Sequence, residues 1–126
     1  ASFTASLADV RASLDRPDVI VWDARSAEEH RGLRSGSRRA GRIPGAINLD
    51  WLATMDPANG HRTRKDLQDI LDALGITRDK RVITHCQTHH RSGLTYALGR
   101  QLGYDIQAYD GSWSEWGNEP DTPIES

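Results

Sequence analysis

Arg81-Val82-Ile83-Thr84-His85-Cys86-Gln87-Thr88-His89-His90-Arg91-Ser92 decides how this chain folds. Its first five residues, with β-branched Val82, Ile83 and Thr84 at their centre, read as a buried strand ending at Cys86. Ser92 then stands where a helix cap belongs, and Leu94, Ala97, Leu98 and Leu102 share one helical face before Gly103 ends it. The stretch is therefore a strand, a short loop and a helix, with the chain's single cysteine at the join.

The same alternation extends in both directions. Upstream, Leu7, Val10 and Leu14 have helical spacing behind Ser6 as a cap, and Pro17 ends that segment. Val19-Ile20-Val21-Trp22 is an unbroken apolar run that stops at Asp23, and Ser26-Ala27-Glu28-Glu29 opens a helix with acids in its first turn. Residues 32–41 are rich in Gly, Ser and Arg without periodicity and read as a solvated loop. Ile43 to Leu49 reads as a turn leading into a brief extended segment. Thr63-Arg64-Lys65-Asp66 resembles a capping box ahead of Leu67, Ile70, Leu71 and Leu74, with Gly75 as the stop. Downstream, Ile106 to Tyr109 reads as a strand, and Asp110-Gly111-Ser112 starts a short helix carrying Trp113 and Trp116. The tail with Pro120 and Pro123 reads as irregular.

Strands alternating with helices imply an α/β fold with a parallel sheet covered on both faces. Ligands on such sheets bind at the carboxyl ends of the strands, where Asp23 and Cys86 fall. The 126 residues fit one domain spanning 1–126. A net charge of −2 offers no argument for nucleic acid or an anionic membrane surface, and no apolar run is long enough to span a bilayer. One cysteine excludes an internal disulfide, and a free thiol suits a reducing compartment, so a cytoplasmic location is expected.

A loop between a strand and a helix N-terminus presents unpaired backbone N–H groups, and the helix dipole adds positive potential. A thiol placed there is biased toward the thiolate, the nucleophilic form. The same donors suit an anionic persulfide and are preorganised for it. Metal binding is the other chemistry open to His85, Cys86, His89 and His90. A closed zinc site needs about four convergent ligands, and His30 and His61 lie in distant segments, so no metal is assigned.

Further motifs bring a family into view. They are Asp23-Ala24-Arg25 with Glu29, Gly41-Arg42-Ile43-Pro44-Gly45-Ala46-Ile47-Asn48, Cys86 to Ser92, and Tyr109-Asp110-Gly111-Ser112-Trp113-Ser114-Glu115-Trp116. In this order they resemble the rhodanese-type sulfurtransferases, and the last resembles the end of the catalytic half of tandem-domain thiosulfate and mercaptopyruvate sulfurtransferases. The resemblance implies a three-layer sandwich with a five-stranded parallel sheet flanked by helices. It implies that Cys86 is the nucleophile and that Gln87, Thr88, His89, His90, Arg91 and Ser92 form the substrate-binding loop. Sulfur would pass from thiosulfate or a related donor, through a Cys86 persulfide, to cyanide, a thiol or a sulfur-carrier protein. No cofactor beyond that covalent intermediate is implied. His89 replaces the glycine of common single-domain loops, and Glu29 stands where tandem animal enzymes place a substrate-binding arginine.

Asp23 and Arg25 read as structural residues near the site, Asp23 capping a turn and Arg25 pairing with Glu29. Arg91 suits an oxyanion, and His89 and His90 read either as exposed loop residues or as a histidine that binds thiosulfate when protonated or assists transfer near neutral pH. Trp113 and Trp116 read as packing residues. Two alternatives are a low-molecular-weight cysteine phosphatase of similar fold and a non-catalytic sulfur-binding or regulatory domain. The phosphatases resemble Cys-x5-Arg, whereas Cys86 and Arg91 give the shorter Cys-x4-Arg.

Overall fold

The structure is a computed structural model and describes residues 4–33, 35–56, 62–63, 65–87 and 90–125. Its elements run β1 (Thr4–Ala5), α1 (Leu7–Ser13), β2 (Val19–Asp23), α2 (Ala27–His30), β3 (Ile47–Asn48), a 3-10 turn (Trp51–Thr54), β4 (Met55–Asp56), β5 (Arg62–Thr63), α3 (Leu67–Leu74), β6 (Arg81–His85), α4 (His90–Gln101), β7 (Asp105–Tyr109) and α5 (Ser112–Trp116). Five strands form one parallel sheet in the order β1-β7-β6-β2-β3, and β4 pairs antiparallel with β5 in a separate ribbon.

Strand alternation sorts the core into two layers. Ile20, Trp22, Val82 and Ile106 face α3 and α4, where Leu67, Leu71 and Leu98 meet them. Val21, Ile83 and Tyr109 face the opposite way, onto Val10 of α1 and Trp113 and Trp116 of α5. Adjacent residues of one strand thus serve different layers, which is why Val19 to Trp22 of β2 reads as a continuous apolar run. Both tryptophans are packing residues, as their spacing implied, and no helix among the described residues is long and apolar enough to cross a membrane.

Capping boxes explain two of the helix starts. Ser6 and Asp9 form a capping box on α1, and Ser26 and Glu29 form another on α2. Two expected starts move. Thr63 is extended and pairs with Met55, so α3 begins at Leu67 with Asp66 as its N-cap and no side-chain cap bond. Helix α4 begins at His90, two residues ahead of the expected cap Ser92, and the loop after Cys86 is correspondingly shorter. β1 carried too few residues for a sequence pattern and forms because Thr4 and Ala5 lie beside Ala108 and Tyr109.

Among its described residues the loop 32–41 is mostly exposed, as its composition implied, yet it and the irregular tail are tied to α5 and to each other. Arg39 donates to the carbonyls of Trp116, Glu119 and Thr122 and to the Thr122 hydroxyl. Trp116 Nε1 donates to Pro123 O at 2.8 Å, and Arg42 and Glu125 form a backbone bridge. The tail lacks a long element yet is fastened, because Arg39 satisfies carbonyls that α5 leaves unpaired at its end.

Candidate active site

The sheet order sets where a site can form. From β2 the chain moves to β3 on one side, then returns to place β6 on the other. The crevice at such a reversal, at the carboxyl ends of the strands, is the usual ligand position in open parallel sheets. Register brings Asp23 opposite His85 on one side and Asn48 on the other. Cys86 is the next residue along, so the structure places it at this crevice.

Cys86 is gripped through its backbone. Its N–H donates to Ser112 Oγ at 3.2 Å, and its carbonyl accepts from Trp113 N at 2.8 Å. Gln87 O accepts from Ser114 N at 2.8 Å, and Ser112 Oγ donates to Tyr109 O at 2.9 Å. Ser112 makes these bonds from a left-handed conformation, φ 49°, uncommon for a residue with a Cβ. Thr84 and Thr95 share a 2.6 Å hydroxyl contact that ties β6 to α4 on the far side of the loop. A strand-end position argued against a core thiol, yet Cys86 is 0% exposed. The placement at the strand end holds, and the burial is the difference: the turn into α5 folds back onto the residue.

Beside Cys86 lies a buried polar cluster. Arg25 directs Nε and Nη2 onto the Asp23 carboxylate, the shortest contact being 2.8 Å, and donates from Nη2 to Gly41 O at 2.7 Å. Its guanidinium carbon lies 4.4 Å from the centroid of a Trp113 ring. The Arg25 N–H donates to Asp23 Oδ1, so Asp23 caps its turn as expected. Arg25 pairs with Asp23 and not with Glu29. The reason is local: Glu29 Oε1 takes the Ser26 N–H and hydroxyl in the α2 capping box.

His30 Nδ1 lies 2.8 Å from Asp23 Oδ2. His85 Nδ1 lies 3.3 Å from Cys86 O, and its Nε2 lies 4.0 Å from Asp23 Oδ1. Burial opposes ionisation of Asp23, but His85, the His30 hydrogen bond and Arg25 outweigh it and hold the carboxyl well below its usual range. Burial lowers the pKa of His85 below its ordinary value, against the pull of Asp23 and with the help of Arg25, so its ring is neutral at pH 7 and acts on Asp23 as a cation only in acid. Asp23 and Arg25 therefore form a fixed charge pair under the loop. Neither side chain reaches solvent, which supports a positioning role over direct chemistry.

Gln87 extends to the other side of the loop. Ser37 Oγ donates to Trp113 O at 2.9 Å, so it accepts from Gln87 Nε2 at 2.9 Å. That chain of donors fixes the amide and leaves Gln87 Oε1 buried without a partner. A Cβ on Gly36 would sit 3.2 Å from Gln87 Cδ, so the glycine permits this close approach. A cavity of about 510 Å³ lies here, lined among the described residues by Glu29, Ser35, Gly36 and Gln87. Ser35 and Ser37 belong to the segment read as a solvated loop. Their only signal was the Ser-Gly-Ser composition, which carries no period.

Thr88 and His89 lie outside the described residues. His90, Arg91 and Ser92 supply the first turn of α4, and their side chains lie outside the description.

Known proteins resemble this chain. The profile of the Rhodanese-like domain family matches residues 6–119. The chain is 54% identical over 117 residues to a thiosulfate sulfurtransferase of Pseudomonas aeruginosa, covering 92% of this chain and 43% of that protein. It is 51% identical over 123 residues to a thiosulfate sulfurtransferase of Azotobacter vinelandii, covering 97% of this chain and 45% of that one. The chain thus spans less than half the length of either relative. A solved structure of an EanB variant with a cysteine persulfide, in a tetrahedral intermediate state with ergothioneine, matches with a TM-score of 0.89 at 26% identity. That match covers 98% of this chain and 32% of the other.

Proposed function

We propose, for a chain that belongs to the rhodanese-like domain family, the transfer of sulfane sulfur from thiosulfate or a related donor, through a persulfide on Cys86, to cyanide or a thiol. The observation that carries this reading is the place of Cys86, at the crevice between β2 and β6 and ahead of the α4 N-terminus. The two sulfurtransferase relatives support it, as does a neighbour of the same fold whose cysteine bears a persulfide.

The reaction is a double displacement. Cys86 thiolate attacks the outer sulfur of thiosulfate, the sulfur–sulfur bond of the donor breaks, and sulfite leaves with its electron pair. The acceptor then attacks the outer sulfur of the persulfide. The bonding pair returns to Cys86 as thiolate, so no external oxidant or reductant is needed. Between the half-reactions the extra sulfur carries negative charge. The loop of Gln87, Thr88, His89, His90, Arg91 and Ser92, at the amino end of α4, is the group assigned to hold it, with backbone N–H donors in the leading part. Asp23 and Arg25 act at one remove, by fixing the exit of β2 beside the loop. Small sulfur compounds are the substrates, with a sulfur-carrier protein as a further acceptor. A cytoplasmic, reducing location suits the free thiol.

Intact-mass measurement after thiosulfate exposure tests the proposal. The expected result is an addition of one sulfur mass that cyanide removes and Cys86→Ser abolishes. An addition that survives Cys86→Ser would overturn it, as would aryl-phosphate hydrolysis in the absence of any sulfur transfer.

A further inference from the structure

The direction of the Cα–Cβ bond of Cys86 sets where its sulfur can lie. That direction follows from the two peptide planes that meet at the Cα atom, because each trans peptide is a rigid unit. Both planes are tied to other elements. In the plane before Cys86, the His85 carbonyl accepts from Ala24 N at 2.8 Å and the Cys86 N–H donates to Ser112 Oγ at 3.2 Å. In the plane after it, the Cys86 carbonyl accepts from Trp113 N at 2.8 Å. Trp113 N lies in the first turn of α5, where backbone donors have no partner inside the helix. The N–H of a trans peptide points opposite to its C=O, so a Cys86 carbonyl held on α5 turns the Gln87 N–H away from α5. Of these three ties, the one to Ser112 is made by a side chain. The Ser112 hydroxyl is buried and its proton goes to Tyr109 O at 2.9 Å, so toward Cys86 it only accepts. Its left-handed backbone, φ 49°, suits glycine better than serine. What serine offers there over glycine is the hydroxyl.

We infer that Ser112 is a positioning residue for the nucleophile: its hydroxyl locks the peptide plane ahead of Cys86 and so fixes the Cα–Cβ direction before a sulfur donor arrives. The inference rests on the sulfur-transfer reading of Cys86. Ser112 acts through the Cys86 N–H and not on the sulfur itself. The thiolate then meets the outer sulfur of the donor from one orientation, and the persulfide is presented to the acceptor from the same one. Orientation built into the fold need not be gained during the reaction, and small misplacements of a reacting atom slow it steeply. Without the hydroxyl, the His85–Cys86 peptide is tied at its carbonyl alone, and it can rock about that bond.

Ser112→Ala and Ser112→Gly both delete the tie and differ in backbone strain, so one guards against the other failing to fold. Ile76→Val, a buried substitution in the opposite core layer, lowers stability without touching the tie. Each variant of the full chain is exposed to thiosulfate, and intact mass gives the rate of sulfur gain per folded molecule. The same proteins are alkylated with iodoacetamide, a neutral reagent that needs Cys86 to be reachable but does not need it aimed at a bound donor. Both Ser112 variants are expected to gain sulfur at least about fivefold more slowly than wild type, the factor for one net hydrogen bond. Their alkylation is expected to match wild type or exceed it, because a loosened site opens more often. Ile76→Val gains sulfur at the wild-type rate. A wild-type rate of sulfur gain in every folded Ser112 variant overturns the inference. So does an equal slowing in Ile76→Val, which would make the loss one of stability. Wild-type protein that gains no sulfur mass overturns the sulfur-transfer reading and this inference with it, an outcome distinct from the other two.

Discussion

The hydroxyl of Ser112 accepts the N–H of Cys86 at 3.2 Å and donates to the carbonyl of Tyr109 at 2.9 Å. One side chain thus joins the end of β7 to the residue after β6, and it does so from a left-handed backbone. Ser112→Ala leaves a buried N–H unpaired and is expected to cost about 1–3 kcal/mol. Ser112→Gly loses the same bond but relieves the left-handed conformation, a strain of roughly 1–2 kcal/mol for a residue with a Cβ. Urea denaturation therefore ranks the glycine variant above the alanine variant. The reverse order would mean that the conformation is not strained.

Asp23 and Arg25 are both fully buried, and each satisfies the other's charge. Asp23→Asn leaves the guanidinium buried without its counterion, and the expected loss is about 3–5 kcal/mol. Arg25→Met strands the carboxylate and costs a similar amount. The double variant removes both charges, so its loss is well below the sum of the singles. A double-mutant cycle in urea measures this coupling, and additive losses would refute the pairing.

Acid acts on the same cluster through His85 first. Burial sets its folded pKa below the unfolded value of about 6.5. The neutral ring's contribution is complete above that value and is lost as pH falls through it, because the unfolded chain takes up the proton first. Asp23, also depressed in the fold, contributes fully above about pH 3.9 and loses that contribution only below it. The free energy of unfolding is therefore expected to fall between pH 7.5 and pH 5, with a further fall below pH 4. His85→Phe keeps a ring in the site and flattens the first limb. An unchanged slope in that variant would assign the proton uptake elsewhere.

Gly41 adopts φ 126°, and a Cβ there would lie 2.6 Å from Ile124 Cγ2 and 2.7 Å from Glu125 O. Gly41→Ala is expected to displace the tail and lower stability by at least about 1–2 kcal/mol, the scale of left-handed strain alone. Limited proteolysis would register the displacement as faster cleavage after Trp116. Because Gly41 O accepts from Arg25, the variant also tests whether the tail and the buried cluster are coupled.

The apolar run Val19 to Trp22 in β2 and the Val82-Ile83 centre of β6 made the parallel sheet legible, since each strand serves two core layers. Ser6 and Ser26 marked their helices because capping boxes are local. Cys86 was legible as a strand-end residue for the same reason. Its burial was not, nor was the grip of Ser112 and Trp113 on its backbone from 26 or more residues away. Arg25 was assigned to Glu29, four residues on, whereas the fork closes on Asp23, two residues back. Spacing alone does not distinguish them, since a turn and a helix bring both within reach. Ser35 to Ser37 left no pattern at all: their role depends on Trp113 and Gln87, which only the fold brings near.

With Cys86 closed off from solvent and the turn into α5 holding its backbone, the thiol's chemistry is also a matter of shelter. Peroxide oxidises the cysteines it can reach. Cys86 meets dissolved oxidants and bulky alkylating agents only when its surroundings part, so resistance to oxidative wear is a property of the closed resting molecule. If sulfur passes through Cys86 as proposed, the opening that admits a donor also admits an oxidant.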